Sequence, residues 1–313
     1  MSDTPASLRR KISTAGDLQS VVRAMKALSA SNVGQYEKSV RALDDYYRTV
    51  ELGLGACLRE SGSAASTAGR KEKADAGMIG VIVFGSDQGL VGRFNEAAAD
   101  HAIKTIAAIP GEPRIWAVGE RVHARLADAG LPLIGRFPVP ISVKAIVPLI
   151  GRILLDYEAQ RGQSEVVELH LIYNRRTSGA VYAPVSRRLL PLDEDWRRKL
   201  VGLPWPTKSQ PQIMGDRTAA FRGFLRAYLF VSLFRACVYS LASENESRLA
   251  AMQRAEKRIE DLLEDLNRTR HRMRQGDIDE ELFDVVAGFE APDPKRTRRS
   301  SAKTGQRERP CSS

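Results

Sequence analysis

Cysteine is scarce in this chain and nowhere clustered: Cys57, Cys237 and Cys311 lie far apart and form no CxxC pair. That excludes the thiolate zinc sites and dithiol redox motifs that need such spacing, and it points to reduced thiols. The four histidines, His101, His123, His170 and His271, are equally scattered. Without ligand spacing they read as satisfied or solvated side chains, and no HExxH helix or GxSxG nucleophile elbow is present. Long apolar runs are missing too. The longest, Met78–Phe84, is far short of the roughly 20 residues that cross a bilayer, so any membrane association is expected through another protein. The opening MSDTPASLRRK has no apolar signal core and no Arg/Ser-rich transit stretch. The chain is therefore expected to stay in the compartment where it is made.

Two further absences define the main feature. No proline falls between Pro211 and Pro292, and no glycine between Gly223 and Gly276, so nothing local interrupts a helix there. From Ala227 apolar or small residues return in alternating steps of four and three: Val231, Phe234, Val238, Leu241, Asn245, Arg248, Met252, Ala255, Ile259, Leu262, Leu266, Thr269 and Met273. This is the two-in-seven seam of a coiled coil. At about 1.5 Å per residue, roughly 55 residues make a rod about 80 Å long, too long to hide inside an ordinary domain. A partner seam lies at the other end of the chain: Leu18, Val22, Met25, Ser29, Asn32, Tyr36, Val40, Leu43, Tyr47, Val50 and Leu54. The step from Tyr36 to Val40 is a stutter, which unwinds a supercoil locally. Two such helices with a globular segment between them are expected to run antiparallel. Their polar seam members, Ser29, Asn32, Asn245 and Arg248, set register or leave the pair open to another protein.

The composition, 43% hydrophobic over 313 residues, suffices for a packed core in one large or two modest domains. The net charge of +10 divides informatively. Residues 291–313 hold seven cations against two acids, a net of +5, in a Ser/Pro/Arg-rich stretch expected to be disordered. Arg217–Gln275 holds twelve Arg/Lys against seven Asp/Glu, another +5. That segment has no pure cationic face, and aromatics do not alternate with its cations as a base-stacking surface needs, so no nucleic-acid role is expected.

Between the helices, Ser61–Gly77 reads as a linker. Met78–Phe84 reads as a buried strand, followed by the turn GSDQGLVG (Gly85–Gly92) and a helix Asn95–Ala108. A strand Arg114–Val118, a helix Glu120–Ala129, a helix Ile141–Gln160, and strands Glu165–Tyr173 and Val181–Leu190 follow, with a short last helix at Asp279–Ala287. Alternating strands and helices give the fold class α/β: a long antiparallel coiled coil of N- and C-terminal helices with a central Rossmann-like α/β domain. The expected organisation is an N-terminal coiled-coil helix (1–60), the α/β domain (61–210), a C-terminal coiled-coil helix (211–290) and the basic tail (291–313).

The glycine loop stands where phosphate loops stand, after a strand and before a helix. It has neither the GK(S/T) of a P-loop nor GxGxxG, and no lysine, so a turn with a capped helix is the better reading. The acids Glu260, Asp261, Glu264 and Asp265 read as a solvated face pairing with Lys257, Arg258 and Arg268. No catalytic constellation, metal site or cofactor site is expected.

Five stretches resemble the γ subunit of F-type ATP synthase. They are RAMKALSAS (Arg23–Ser31), SDQGLVGRFN (Ser86–Asn95), LIYNRRTSGAVYAP with LLPL (Leu171–Leu192), SLASENESRLAAMQRA (Ser240–Ala255) and NRTRHRMRQGDIDEELFDVVAGFEA (Asn267–Ala291). The resemblance runs from about residue 8 to 291 in the family's order. It implies a non-catalytic rotor: the terminal helices turn inside a ring of three α and three β subunits, while the α/β domain sits on the membrane c-ring beside the ε subunit. Rotation driven by ion flow through the c-ring would couple to ATP synthesis or hydrolysis. The resemblance places Met25 and Lys26 near the β lever, Gln88 in a loop facing β, and Arg274 and Gln275 at a hydrogen-bonding catch to β. It also implies a peripheral position on the cytoplasmic face of a bacterial plasma membrane, reached only through the c-ring. Departures mark a divergent copy, with a paralogous ion pump as one reading: AGDLQSV with Gly16 stands before the AMK motif, Val91 replaces the family's usual cysteine, Gln88 an arginine, Arg93 a glycine and Asp279 a threonine. The basic tail matches no family counterpart and is expected to be solvent-exposed at the top of the head. The alternatives are a coiled-coil scaffold with no rotary role and a nucleotide-binding α/β enzyme.

Overall fold

The computed structural model describes residues 4–60, 78–163, 166–177, 180–209 and 211–290. The expected linker Ser61–Gly77 and the basic tail with Cys311 lie outside the described residues. Contacts divide the chain into two compact units, Val22–Ala255 and Met1–Val21 with Glu256–Ser313. Helix α1 (Pro5–Glu60) and helix α6 (Arg217–Glu290) each contribute to both.

Unit 22–255 holds the sheet. Strands β1 (Met78–Phe84), β2 (Glu112–Val118), β3 (Leu133–Phe137), β4 (Val166–Thr177) and β5 (Ala180–Leu190) lie in the order β3-β2-β1-β4-β5. All pairs are parallel except β4 with β5, which are antiparallel neighbours. Helices α2 (Phe94–Ala107), α3 (Glu120–Asp128), α4 (Val143–Gln163) and α5 (Glu194–Gly202) complete the unit. Period-two alternation along β1 divides the core. Ile79, Val81 and Val83 pack with Ala98, Ala102, Val122 and Leu126 of α2 and α3. Ile82 and Phe84 pack on the other face with α4 and with Val50, Leu54, Leu233, Phe234 and Val238 of the long helices. A strand covered on both faces is apolar throughout, which is why Met78–Phe84 reads as one unbroken run.

Within this unit α1 and α6 run antiparallel: Asn32 bonds Asn245 (3.2 Å), and further along α1 Asp44 pairs with Arg235 (3.4 Å). The expected seam positions Ser29, Tyr36, Val50, Leu54, Val231, Phe234, Val238, Leu241 and Met252 are buried. Between Tyr228 and Ser247, however, the buried face is far wider than a two-in-seven stripe, taking in Leu229, Ser232, Leu233, Ala236, Cys237, Ser240, Ser243 and Glu244. Here α6 is packed by α1 on one side and by the sheet on the other. That double cover also accounts for a stretch of α6 apolar enough to cross a membrane being mostly buried within the fold.

In the other unit the inward positions of α1 are Leu8, Ile12, Ala15 and Gln19, and Gln19 bonds Glu260 (3.3 Å). The seam therefore passes through Gln19, not the expected Leu18, which is 53% exposed; Leu262 likewise is 50% exposed. Glu260 reaches the partner helix, while Glu264 and Asp265 pair with Arg268 on an exposed face, as their spacing predicts.

Four sequence expectations change. The short helix Asp279–Ala287 is not separate, because α6 continues through Gly276 to Glu290. A glycine inside a helix costs about 1 kcal/mol against alanine, too little to break a helix of this length. Nothing lies within 4 Å of a Cβ added at Gly276, so Gly276→Ala is expected to slow amide exchange around residues 272–280 by about fivefold, and unchanged exchange would contradict this. The helix expected from Ile141 begins at Val143, leaving Ile141 exposed. Strand β3, five residues between Pro132 and Pro138, and helix α5, started by Asp193 accepting from the Asp195 N–H (3.3 Å), were not foreseen. Strand β3 is too short to show a period. Strand β4 also runs past the expected Tyr173 to Thr177.

Candidate functional site

The loop after β1 stands at the reversal of strand order, where open α/β sheets bind ligands. The start of its backbone is committed elsewhere. The Gly85 N–H donates to the Val118 carbonyl (2.8 Å), the Ser86 N–H to Asn95 Oδ1 (2.9 Å) and the Phe94 N–H to the Val91 carbonyl (3.4 Å). Asn95 Nδ2 returns a bond to Ser86 Oγ (2.8 Å), and Ser86 Oγ donates to the Gln88 carbonyl (2.8 Å). A Cβ at Gly85 would lie 2.4 Å from Val122 Cβ, so the strand can leave the sheet here only as glycine. Leu90 takes a left-handed φ of 63° and is 61% exposed, a strained display of an apolar side chain.

One carboxylate ties the loop to two neighbours. Asp87 Oδ1 accepts from the Glu120 N–H at the start of α3 (2.9 Å), and Oδ2 accepts from the Val139 N–H (2.8 Å). The side-chain cap expected on the helix after the loop is absent: Arg93 at the start of α2 makes no such bond, and Asp87 serves α3 instead. From above, Ser247 Oγ of α6 donates to the Val91 carbonyl (2.5 Å), and Asn174 Nδ2 donates to the Phe94 carbonyl (2.8 Å). The loop is thus tied to α6 at Val91.

Between α1, the loop and α6 lies a cavity of about 230 Å³ lined by Asn32, Tyr36, Gln88, Ile141, Glu244 and Arg248 among others. Glu244 is 5% exposed and pairs with Arg248 at 2.7 Å. Burial pushes its carboxyl above the ordinary carboxylate range, with Arg248 opposing the shift. The folded chain therefore holds this proton more tightly than the unfolded chain. That stabilisation is fully present below the unfolded value of about 4.3 and is lost as pH rises through the folded value. The Tm of the native chain relative to Glu244→Gln is expected to rise as pH falls from about 8 to about 4.5, and a difference that does not change with pH would contradict this.

The five residues singled out from the sequence fall in both units. Gln88 is exposed on the loop and lines the cavity. Met25 and Lys26 are half-buried on α1 in the same unit, and the Met25 carbonyl accepts from Ser29 Oγ (2.8 Å). Arg274 and Gln275 are exposed on α6 in the other unit. The side chains that fix the loop, Asp87, Asn95, Asn174 and Ser247, were not singled out. All four lie inside stretches that carry the resemblance, and Ser247 also closes the polar run Ser243–Ser247 inside an otherwise apolar helix stripe. Beyond Ile278, α6 carries Leu282, Phe283, Val285 and Val286, all between 46% and 71% exposed. Among the described residues no group of three or more His, Cys, Asp or Glu could hold a metal ion.

Comparison with known proteins places these features in a family. A family model described as ATP synthase matches residues 4–291. The chain is similar to the ATP synthase gamma chain of Parafrankia sp. (strain EAN1pec), 25% identical over 293 residues, covering 90% of this chain and 96% of the relative. It is also 26% identical over 292 residues to that of Clavibacter sepedonicus, covering 90% and 95%. Among solved structures, a chain of the Euglena gracilis mitochondrial ATP synthase in rotational state 3 (OSCP/F1/c-ring) has the same fold, with a TM-score of 0.59 at 15% identity over 98% of each chain. A chain of the Tetrahymena thermophila central stalk and c-ring gives a TM-score of 0.53 at 20% identity, covering 75% of this chain and 99% of that one.

Proposed function

Because this chain belongs to the ATP synthase gamma-chain family, we infer that it is the central-stalk rotor subunit of an ATP synthase, coupling rotation of a c-ring to ATP synthesis or hydrolysis in an α3β3 head. The observation that carries the reading is the last part of α6, where Ile278, Leu282, Phe283, Val285 and Val286 stand exposed on an unbroken 74-residue helix. Apolar side chains gathered at a helix end call for an apolar surround, and a ring of α and β subunits provides one without fixing the helix to a single subunit. The helix α6 with its α1 partner forms the axle (1–60 and 211–290), and segment 61–210 is the part that rides on the c-ring beside ε.

The chain itself has no catalytic role in this reading. In the loop after β1 the Gly85 and Ser86 N–H groups are bonded to Val118 and Asn95, and Ser247 of α6 bonds its Val91 carbonyl. Gln88 on that loop, Met25 and Lys26 on α1, and Arg274 and Gln275 on α6 are the proposed contacts to β. Arg274 and Gln275 are exposed and offer charge and amide donors to acidic levers. Association with the cytoplasmic face of a bacterial membrane follows through the c-ring alone.

Co-expression with α and β subunits from the same source, followed by native mass spectrometry, tests the reading. One copy of this chain per three αβ pairs is expected. A chain that ignores α and β and pairs with itself would leave a coiled-coil scaffold.

A further inference from the structure

Within unit 22–255 the long helices meet the sheet through a second polar layer that the loop site does not use. Arg187 of β5 donates from Nη2 to the Tyr47 hydroxyl of α1 (3.1 Å). The Arg235 guanidinium of α6 lies 4.7 Å from the centroid of the same Tyr47 ring, pairs with Asp44 of α1 (3.4 Å) and donates to the Tyr239 hydroxyl (3.3 Å). Arg175 of β4 lies 4.7 Å from the centroid of the Tyr239 ring, which stacks on Tyr173 of β4 at 6.3 Å and 11°. Tyr228 of α6 contacts both Tyr47 (6.4 Å) and Trp196 of α5 (4.7 Å). Three arginines and four tyrosines thus alternate between α1, α6, β4 and β5. Burial, outweighing Arg187, pushes the Tyr47 phenol up to about 12.

This layer differs in kind from the apolar core around it. Burial of apolar surface is non-directional, so it resists separation of two layers more than their sliding. A planar guanidinium bonded edge-on to one phenol and stacked over another has a fixed geometry and resists sliding directly. Sliding of the helical pair over the sheet is the motion that torque between axle and α/β domain would produce.

We propose that the Arg175–Arg187–Arg235 and Tyr47–Tyr173–Tyr228–Tyr239 layer is a torsional clamp, positioning the helical pair on the α/β domain so that torque passes between them without slip. This rests on the rotor reading. The two arginines that bracket Tyr47 from opposite elements, Arg187 and Arg235, carry most of it. Removing either leaves the apolar core intact and removes the directional contacts.

The test uses the assembled complex with its α3β3 head immobilised and an optical probe on the surface of the α/β domain. In Arg187→Met/Arg235→Met the variance of probe angle during the ATP-waiting dwell is expected to rise about twofold or more, since it scales inversely with the stiffness that joins the layers. Tyr47→Phe, which keeps the ring under Arg235 and loses only the hydroxyl bonded to Arg187, is expected to give a smaller rise, and it decides the matter if the double variant does not assemble. A merely structural role would lower the Tm of the complex and leave the variance at its native value. That result in a variant that assembles and turns would overturn the clamp. Absence of ATP-driven rotation in the native complex would overturn the rotor reading instead.

Discussion

Ending the chain after Ala255 is expected to leave residues 22–255 folded and to lower ATP turnover by the assembled complex about tenfold or more. The cut falls at the border of the two compact units and removes Glu256–Ser313. What remains keeps both core clusters, since every buried member of them lies between Tyr36 and Leu241. The first part of α1 loses its partner, so Leu8, Ile12 and Ala15 become exposed and that segment frays. The exposed apolar end around Leu282 and Phe283 and the proposed catch residues Arg274 and Gln275 go with it. A rotor shortened in this way can still bind a head at its base, but it has no stiff axle to force the catalytic sites through their states in turn. Circular dichroism of the truncated chain and ATPase assay of its complex give the two readings. Native turnover from a complex that retains the truncated chain would show that the removed segment 256–313 carries no torque.

The second large effect is expected at Gly119, where Gly119→Val should cost about 3 kcal/mol from strain and overpacking together. Its φ is 117°, and a Cβ there would lie 2.8 Å from the Ser86 backbone nitrogen and 2.9 Å from its carbonyl carbon and oxygen. Neither backbone can yield cheaply. Gly119 N–H donates to the Phe137 carbonyl (2.9 Å), and the Arg121 N–H donates to the Ser86 carbonyl (2.9 Å), so a shift breaks the joint between β2, α3 and the loop. For a unit of this size the Tm should fall by roughly 10 °C. The same displacement frees Ser86 from Asn95 and loosens the loop that presents Gln88 and Leu90. A Tm within a degree or two of native would mean that the close approach at Gly119 is relieved without cost.

Much of this architecture was legible in the residues because its signals are local. Steps of three and four place Val231, Phe234, Val238 and Leu241 on one face whatever that face later meets. Met78–Phe84 announces a doubly covered strand by its own composition. What was missed depends on partners distant in sequence. Gln19 rather than Leu18 follows Leu8, Ile12 and Ala15 on the inward face and meets Glu260 on the other helix, a partner that hydrophobicity does not show. The broad burial of Ser240, Ser243 and Glu244 comes from the sheet and from the loop after β1, which no helical period can reveal. Helix α6 runs through Gly276 to Glu290 because one glycine has little breaking power in a helix held by its neighbours. The contact residues Met25, Lys26, Gln88, Arg274 and Gln275 came from resemblance alone. The alternation of arginine and tyrosine was invisible because its members are spread over α1, α6, β4, β5 and α5, and only the fold brings them into one layer.

The central claim is that this chain turns. The most direct measurement immobilises an α3β3 head assembled with the full chain, attaches a probe to the α/β domain, and records its angle as ATP is added. The account predicts stepwise rotation in one direction, with dwells that shorten as ATP concentration rises. A complex that hydrolyses ATP while the probe only fluctuates about a fixed angle would contradict it.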